Sequence, residues 1–150
     1  MSDLIVYDVV ADLKARLCGD WNTCCVGPKP DIQFFWDVKA TGFAGSTQDV
    51  IIIQPLQEKI VPFALHGDAW KHELPVKIDI RTYSDLARQN AVTKEAGRIL
   101  KNILRRAGAS PVAFIDAILK GYESDDSTYR NLFRGWFTII YRDVTAFTFT

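Results

Sequence analysis

The stretch Leu74-Pro75-Val76-Lys77-Ile78-Asp79-Ile80-Arg81-Thr82 decides the fold. From Val76 onward, Val76, Ile78 and Ile80 alternate with Lys77, Asp79 and Arg81, the period of a strand with one buried and one wet face. Such a strand needs a cover for its apolar side, and the next residues supply it. Asp85 is placed to cap a helix running from about Leu86 to Ala107, with Gly108 as its stop. Val92, Ala96, Ile99, Leu100, Ile103 and Leu104 gather on one side of that helix. Lys94, Arg98, Lys101 and Arg105 gather on the other.

Working outward, the last third reads as a hairpin. Val112 to Glu123 enters, Ser124-Asp125-Asp126-Ser127 turns, and Tyr129 to Asp143 returns. In the returning strand Phe133, Gly135, Phe137, Ile139 and Tyr141 point one way, and Arg130, Leu132, Arg134, Trp136 and Ile140 the other. Neither face is purely polar, so an edge or face of this ribbon is expected to meet another protein chain. In the other direction, Ser2 or Asp3 caps a helix whose Val6, Val9, Val10, Leu13 and Leu17 share a face, and Gly19 ends it. Asp20 to Pro30 is a loop. Ile32 to Val38 is strand-like, with Phe34 and Trp36 on the side of Ile32 and Val38. Asp49 to Gln54, with Val50-Ile51-Ile52-Ile53 at its centre, suits a strand covered on both faces. The two form an early hairpin around a long loop through Gly42 and Gly45. Pro55 to Glu73 reads as an irregular excursion with a short strand near Ile60 and Val61.

The expected fold class is therefore α+β: a single domain over residues 1–150 with a mostly antiparallel sheet, an N-terminal helix and one long helix packed on one face, and a C-terminal β-hairpin. Composition agrees, with 48% hydrophobic and 24% charged residues in 150, enough for one core. The 18 basic and 18 acidic residues cancel, which argues against a dedicated nucleic-acid binder and removes self-repulsion as a guard against association. Cys18, Cys24 and Cys25 are odd in number, and two are adjacent, so no disulfide framework is expected and a reducing interior fits. The acidic start, Met1-Ser2-Asp3-Leu4, does not match a secretory signal, and no apolar run approaches the roughly 18 residues of a membrane span. The expectation is a soluble cytoplasmic product that keeps its whole sequence.

Signatures of chemistry are weak. His66 and His72, with the three cysteines, lack the ligand spacings of a zinc site. Asp31, Asp37 and Lys39 mimic the acidic-acidic-lysine pattern of a metal-dependent nuclease. On one straight strand, however, the two aspartates would stand roughly 20 Å apart, too far to share a metal. Gly42 and Gly45 precede Ser46-Thr47 with no lysine, so there is no phosphate-binding Walker loop, and no nucleophile elbow occurs. The stripe Lys94, Arg98, Lys101 and Arg105 could grip phosphates; its ordinary reading is the wet face of an amphipathic helix, and intervening Glu95 and a neutral chain weaken any field. The acidic turn Glu123-Ser124-Asp125-Asp126 is in the ordinary case a soluble hairpin tip, and in a functional one a surface that repels DNA or contacts a basic partner.

The order of elements carries a resemblance. The strand from Leu74 to Thr82, the helix through Arg98-Ile99-Leu100-Lys101-Asn102-Ile103-Leu104, and the return Tyr129-Arg130-Asn131-Leu132-Phe133-Arg134-Gly135-Trp136-Phe137-Thr138-Ile139-Ile140-Tyr141 resemble the tail-terminator and tail-completion proteins of tailed bacteriophages and related viruses. The N-terminal helix and early strands fit the same outline, so the resemblance covers nearly the whole chain. It implies a structural virion protein of the tail or neck, made in the host cytoplasm, with no enzymatic activity and no cofactor. It also implies self-association into a hexameric ring that caps the tail tube. The implied partners are the tail tube protein and a head-side connector or neck protein, with genomic DNA passing through the lumen without specific binding. No membrane is involved. The interface residues expected on this basis are Arg130, Leu132, Arg134, Trp136 and Ile140 on the last strand, with Glu123, Asp125 and Asp126 at the turn. Pro55 to Glu73 is larger than a minimal member would need. Within the same class the alternatives are a head-completion or a tail-tube subunit; from another class, the metal-dependent nuclease.

Overall fold

One strand, 15 residues long, is the spine of the molecule. The computed structural model describes residues 6–22, 30–37, 49–62, 69–83, 86–105, 116–124 and 132–146. The chain runs α1 (Val6–Gly19), β1 (Asp31–Phe34), a 3-10 turn (Phe35–Asp37), β2 (Val50–Pro55), β3 (Lys59–Pro62), β4 (Ala69–Tyr83), α2 (Leu86–Arg105), β5 (Asp116–Ser124) and β6 (Leu132–Ala146). The spine is β4. It pairs along its whole length with β6, antiparallel, from Ala69 opposite Ala146 to Tyr83 opposite Leu132. Its other edge is shared by β3, opposite Trp70 to Glu73, and by β2, opposite Val76 to Arg81. Pro75, which has no amide hydrogen, stands where β3 gives way to β2, and its carbonyl accepts the Leu56 amide at 2.8 Å. The main path of the sheet is β1-β2-β4-β6-β5, with β3 beside β4.

The expected α+β class is what the chain adopts. Both helices cover the same face. Val9, Val10, Leu13 and Leu17 of α1 and Val92, Ala96, Ile99, Leu100 and Ile103 of α2 form one buried cluster with Ile51, Ile53, Leu74, Val76, Ile78, Ile80, Phe137, Ile139 and Tyr141. Apart from Ile51, Ile53 and Leu74, these are the positions that the periods of 3.6 and 2 selected. At about 25 cal/mol per Å² of apolar surface removed from water, burial of such a cluster is the main force holding the layers together. A polar bond set closes one end of the interface: Thr82 Oγ1 donates to Gln89 Oε1 (2.7 Å), and Gln89 Nε2 donates to Tyr122 OH (2.6 Å).

Four expectations need correction. The early strands are not a hairpin: β1 and β2 run parallel, Asp31 opposite Val50 and Phe34 opposite Ile53. The connection between them, residues 35–49, is long enough for the crossover that parallel pairing demands. Strand β1 also ends at Phe34, because the chain turns into the 3-10 segment carrying Phe35 and Trp36. The segment from Pro55 to Glu73 is more regular than its composition suggests, since β3 occupies Lys59–Pro62 and β4 begins at Ala69. Backbone pairing with β3 and β6 holds Trp70 to Glu73 extended without any apolar alternation. Finally, the charged side of β4 is not simply wet, for Asp79 is 3% exposed. Ser2, Asp3, Val38, Asp85, Ala107 and Gly108, which bore the expected caps and ends, lie outside the described residues.

Candidate functional site

The sheet face turned away from the helices carries the most distinctive chemistry. Alternation puts Ile52 of β2, Asp79 of β4 and Trp136 of β6 on it, because Ile51, Ile80 and Phe137 lie in the helix-side core. Register then lines them up: Ile52 is opposite Asp79, Asp79 opposite Trp136, and Trp136 opposite Glu123. One row over, Arg81 is opposite Arg134. Two guanidiniums across a strand pair repel each other unless an anion lies between them. Asp79 is that anion. Its carboxylate accepts from Arg134 Nη2 at 3.0 Å, from Arg134 Nε at 3.2 and 3.3 Å, and from Arg81 Nη2 at 3.1 Å. Enclosure by these long side chains is why Asp79 is buried on a face expected to be wet.

Trp136 completes the group. Lys77 Nζ lies 4.5 Å from its ring centre and the Arg134 guanidinium carbon 5.6 Å, both within cation–π range. Its indole Nε1 donates to Glu123 Oε2 at 2.5 Å. Further along, Pro75, Ile140 and Ile118 follow in register, with Ile118 42% exposed. Beyond them Lys59, Glu73, Arg142 and Asp116 form a cross-strand row. There Lys71, 3.0 Å away, holds the Glu73 carboxyl below its ordinary range.

Of the residues expected at an interface, Glu123, Arg134, Trp136 and Ile140 are brought together on this face. Arg130, Asp125 and Asp126 lie outside the described residues, as does the side chain of Leu132. Reasoning from sequence missed Asp79 as the hub of the cluster. The signal was its place between Lys77 and Arg81, but the register that sets it against Arg134 joins residues 55 positions apart.

The other candidates resolve differently. Arg98 is tied up: it donates to Glu95 Oε1 (3.0 Å from Nε, with a second bond from Nη2) and to the Asp20 carbonyl (2.6 Å). Glu95 also accepts the Asn22 amide (3.3 Å), so this pair clamps the end of α1 to α2. The bond with Glu95 pushes the Arg98 pKa up. Lys94 and Lys101 stay exposed on the same helix. His72 Nδ1 lies 3.3 Å from Glu58 Oε1, and Cys18 is a free, half-buried thiol against the core. His66, Cys24, Cys25 and Lys39 are outside the described residues, and so is the side chain of Asp37. Among the described residues no three His, Cys, Asp or Glu side chains gather as metal ligands, and no helix is long and apolar enough to cross a membrane.

No family model and no curated protein matches this sequence. Among solved structures, a chain in the virion of a native gene transfer agent particle is similar, with a TM-score of 0.54 and 14% identity. The match covers 88% of this chain and 91% of that one. The likeness is one of fold. It extends over nearly all of both chains.

Proposed function

We propose that this chain is a structural virion protein: a tail-terminator or tail-completion subunit that closes into a ring, caps the tail tube and joins it to the head-side neck. It works by presenting surfaces to copies of itself and to neighbouring virion proteins, without making or breaking bonds. The observation that carries this reading is the fold shared, over 88% of this chain, with a chain of the gene transfer agent virion. The order of strand, long helix and terminal hairpin supports it, and so does the outer sheet face. Trp and Arg, the types enriched where binding energy concentrates, stand on that face, which further along also carries exposed Ile118. Genomic DNA passes the assembly without specific recognition, in keeping with a net charge of zero.

The test is imaging of particles made without this protein. Tubes of uncontrolled length, or tails unable to join heads, are expected; particles of normal form and number would end the proposal. Missing heads' closure with tails intact would point instead to a head-completion subunit. No DNA cleavage is expected from the purified chain with magnesium. Cleavage abolished by Asp37→Ala would replace this reading with the nuclease.

A further inference from the structure

The two outer strands of the main sheet path, β1 and β5, are complementary, and we propose that β5 of one copy pairs antiparallel with β1 of the next. This rests on the ring reading above and names the surfaces that would close it. Polarity comes first. Strand β1 runs parallel to β2 and β2 antiparallel to β4; β4 is antiparallel to β6 and β6 to β5. Strands β1 and β5 therefore run in opposite directions. A head-to-tail rotation about an axis along the strands preserves every strand direction, so the sheet would continue from copy to copy through an antiparallel ladder.

The backbone groups needed for that ladder point outward. The Asp31 amide donates to the Asp49 carbonyl, so β1 uses Asp31 and Gln33 toward β2 and turns the polar groups of Ile32 and Phe34 to its other edge. Carrying the same alternation across β2, β4 and β6 gives Ile118 and Lys120 to the β6 ladder and leaves Ala117 and Leu119 facing out. Among the described residues no strand occupies either edge.

Side chains select one register. Setting Asp31 opposite Lys120 puts Ile32 against Leu119, Gln33 against Ile118 and Phe34 against Ala117. Ile32, Phe34, Ala117 and Leu119 all belong to, or pack on, the helix-side core, so the core would run on across the junction. On the other face the exposed carboxylate of Asp31 meets the exposed ammonium of Lys120. Sliding by two residues places Asp31 against apolar Ile118 or against the bulge that follows Lys120. That bulge ends the ladder where β1 begins. Ile118, 42% exposed on its own, would be covered.

Disulfide trapping tests this in the full chain with Cys18, Cys24 and Cys25 changed to Ser. Gln33 and Ile118 would be a non-hydrogen-bonded pair, the geometry with the closer side chains. A mixture of Gln33→Cys and Ile118→Cys chains should give only the mixed dimer on oxidation, and the double variant should give a ladder of multimers. Assembly seen by sedimentation without a 33–118 link would overturn the edge pairing and leave the ring standing. Absence of any assembly, with normal particles formed by a strain lacking the protein, would overturn both. Charge exchange provides a second measurement with the native cysteines. Asp31→Lys or Lys120→Asp alone should weaken assembly about two- to fivefold per contact, and the two together should restore it; equal assembly in all three refutes the register.

Discussion

The Tyr122 ring occupies the space that a side chain on Gly135 would need. A Cβ built on Gly135 would fall far inside contact distance of the phenol oxygen and ring carbons. The ring is held there by the bond from Gln89 Nε2, and it lies 5.4 Å from the Phe137 ring. Gly135→Ala must therefore push Tyr122 out, breaking that bond and uncovering part of Phe137. Overpacking of this kind costs about 1–3 kcal/mol, read as a lower denaturant midpoint. In a Tyr122→Ala background the same substitution should cost little, and an undiminished cost there would show that Tyr122 is not what Gly135 accommodates.

Asp79→Asn removes the carboxylate charge that both Arg81 and Arg134 bond. Asp79 is buried, so its loss resembles the breaking of a buried ion pair, moderated because both arginines reach toward water. A loss of about 2–4 kcal/mol is expected. Adding Arg134→Met removes the repulsion and should recover part of it. If Asp79→Asn changed the unfolding midpoint no more than an exposed substitution does, the bridging role would be refuted.

Sequence periodicity was sufficient where one element buries one face. Val76, Ile78 and Ile80, with Val92, Ala96, Ile99, Leu100 and Ile103 of α2 and Phe137, Ile139 and Tyr141 of β6, lie in the core as their spacing required. It failed where pairing at a distance decides the structure. Trp70 to Glu73 have no alternation because backbone ladders on two sides hold them. The parallel course of β1 depends on a crossover whose residues, read locally, resemble a turn. The candidate face was half legible: alternation placed Arg134 and Trp136 on one side, while Asp79 joined them only through register.

Tyr141 makes stability fall in alkali. Burial, reinforced by the nearby Asp12 carboxylate, pushes its phenol well above the ordinary value. The unfolded chain releases that proton near pH 10 while the folded chain keeps it. The contribution is thus fully present below about pH 10 and is lost as pH rises further. The stability difference between the natural chain and Tyr141→Phe should be flat from neutral pH to about 9 and then decline by up to about 1.4 kcal/mol per pH unit. Denaturant midpoints of both proteins across that range measure it, and a difference that stayed constant would mean that Tyr141 ionises alike in both states.

Trp136 separates docking from folding. Its indole is half-buried on the outer face, held by Lys77, Arg134 and Glu123, and none of the helix-side core rests on it. Trp136→Ala should therefore lower stability by no more than about 1 kcal/mol, the scale of an exposed cation–π contact. If this face receives a neighbouring virion protein, the same substitution removes the kind of anchor whose loss typically costs about 2 kcal/mol or more of binding. Self-association through β1 and β5 does not use it. The expected variant is a folded protein that still assembles with itself yet yields few completed particles, as counted by electron microscopy of complemented lysates. A full yield of completed particles from folded Trp136→Ala protein would remove the outer face from the docking surface.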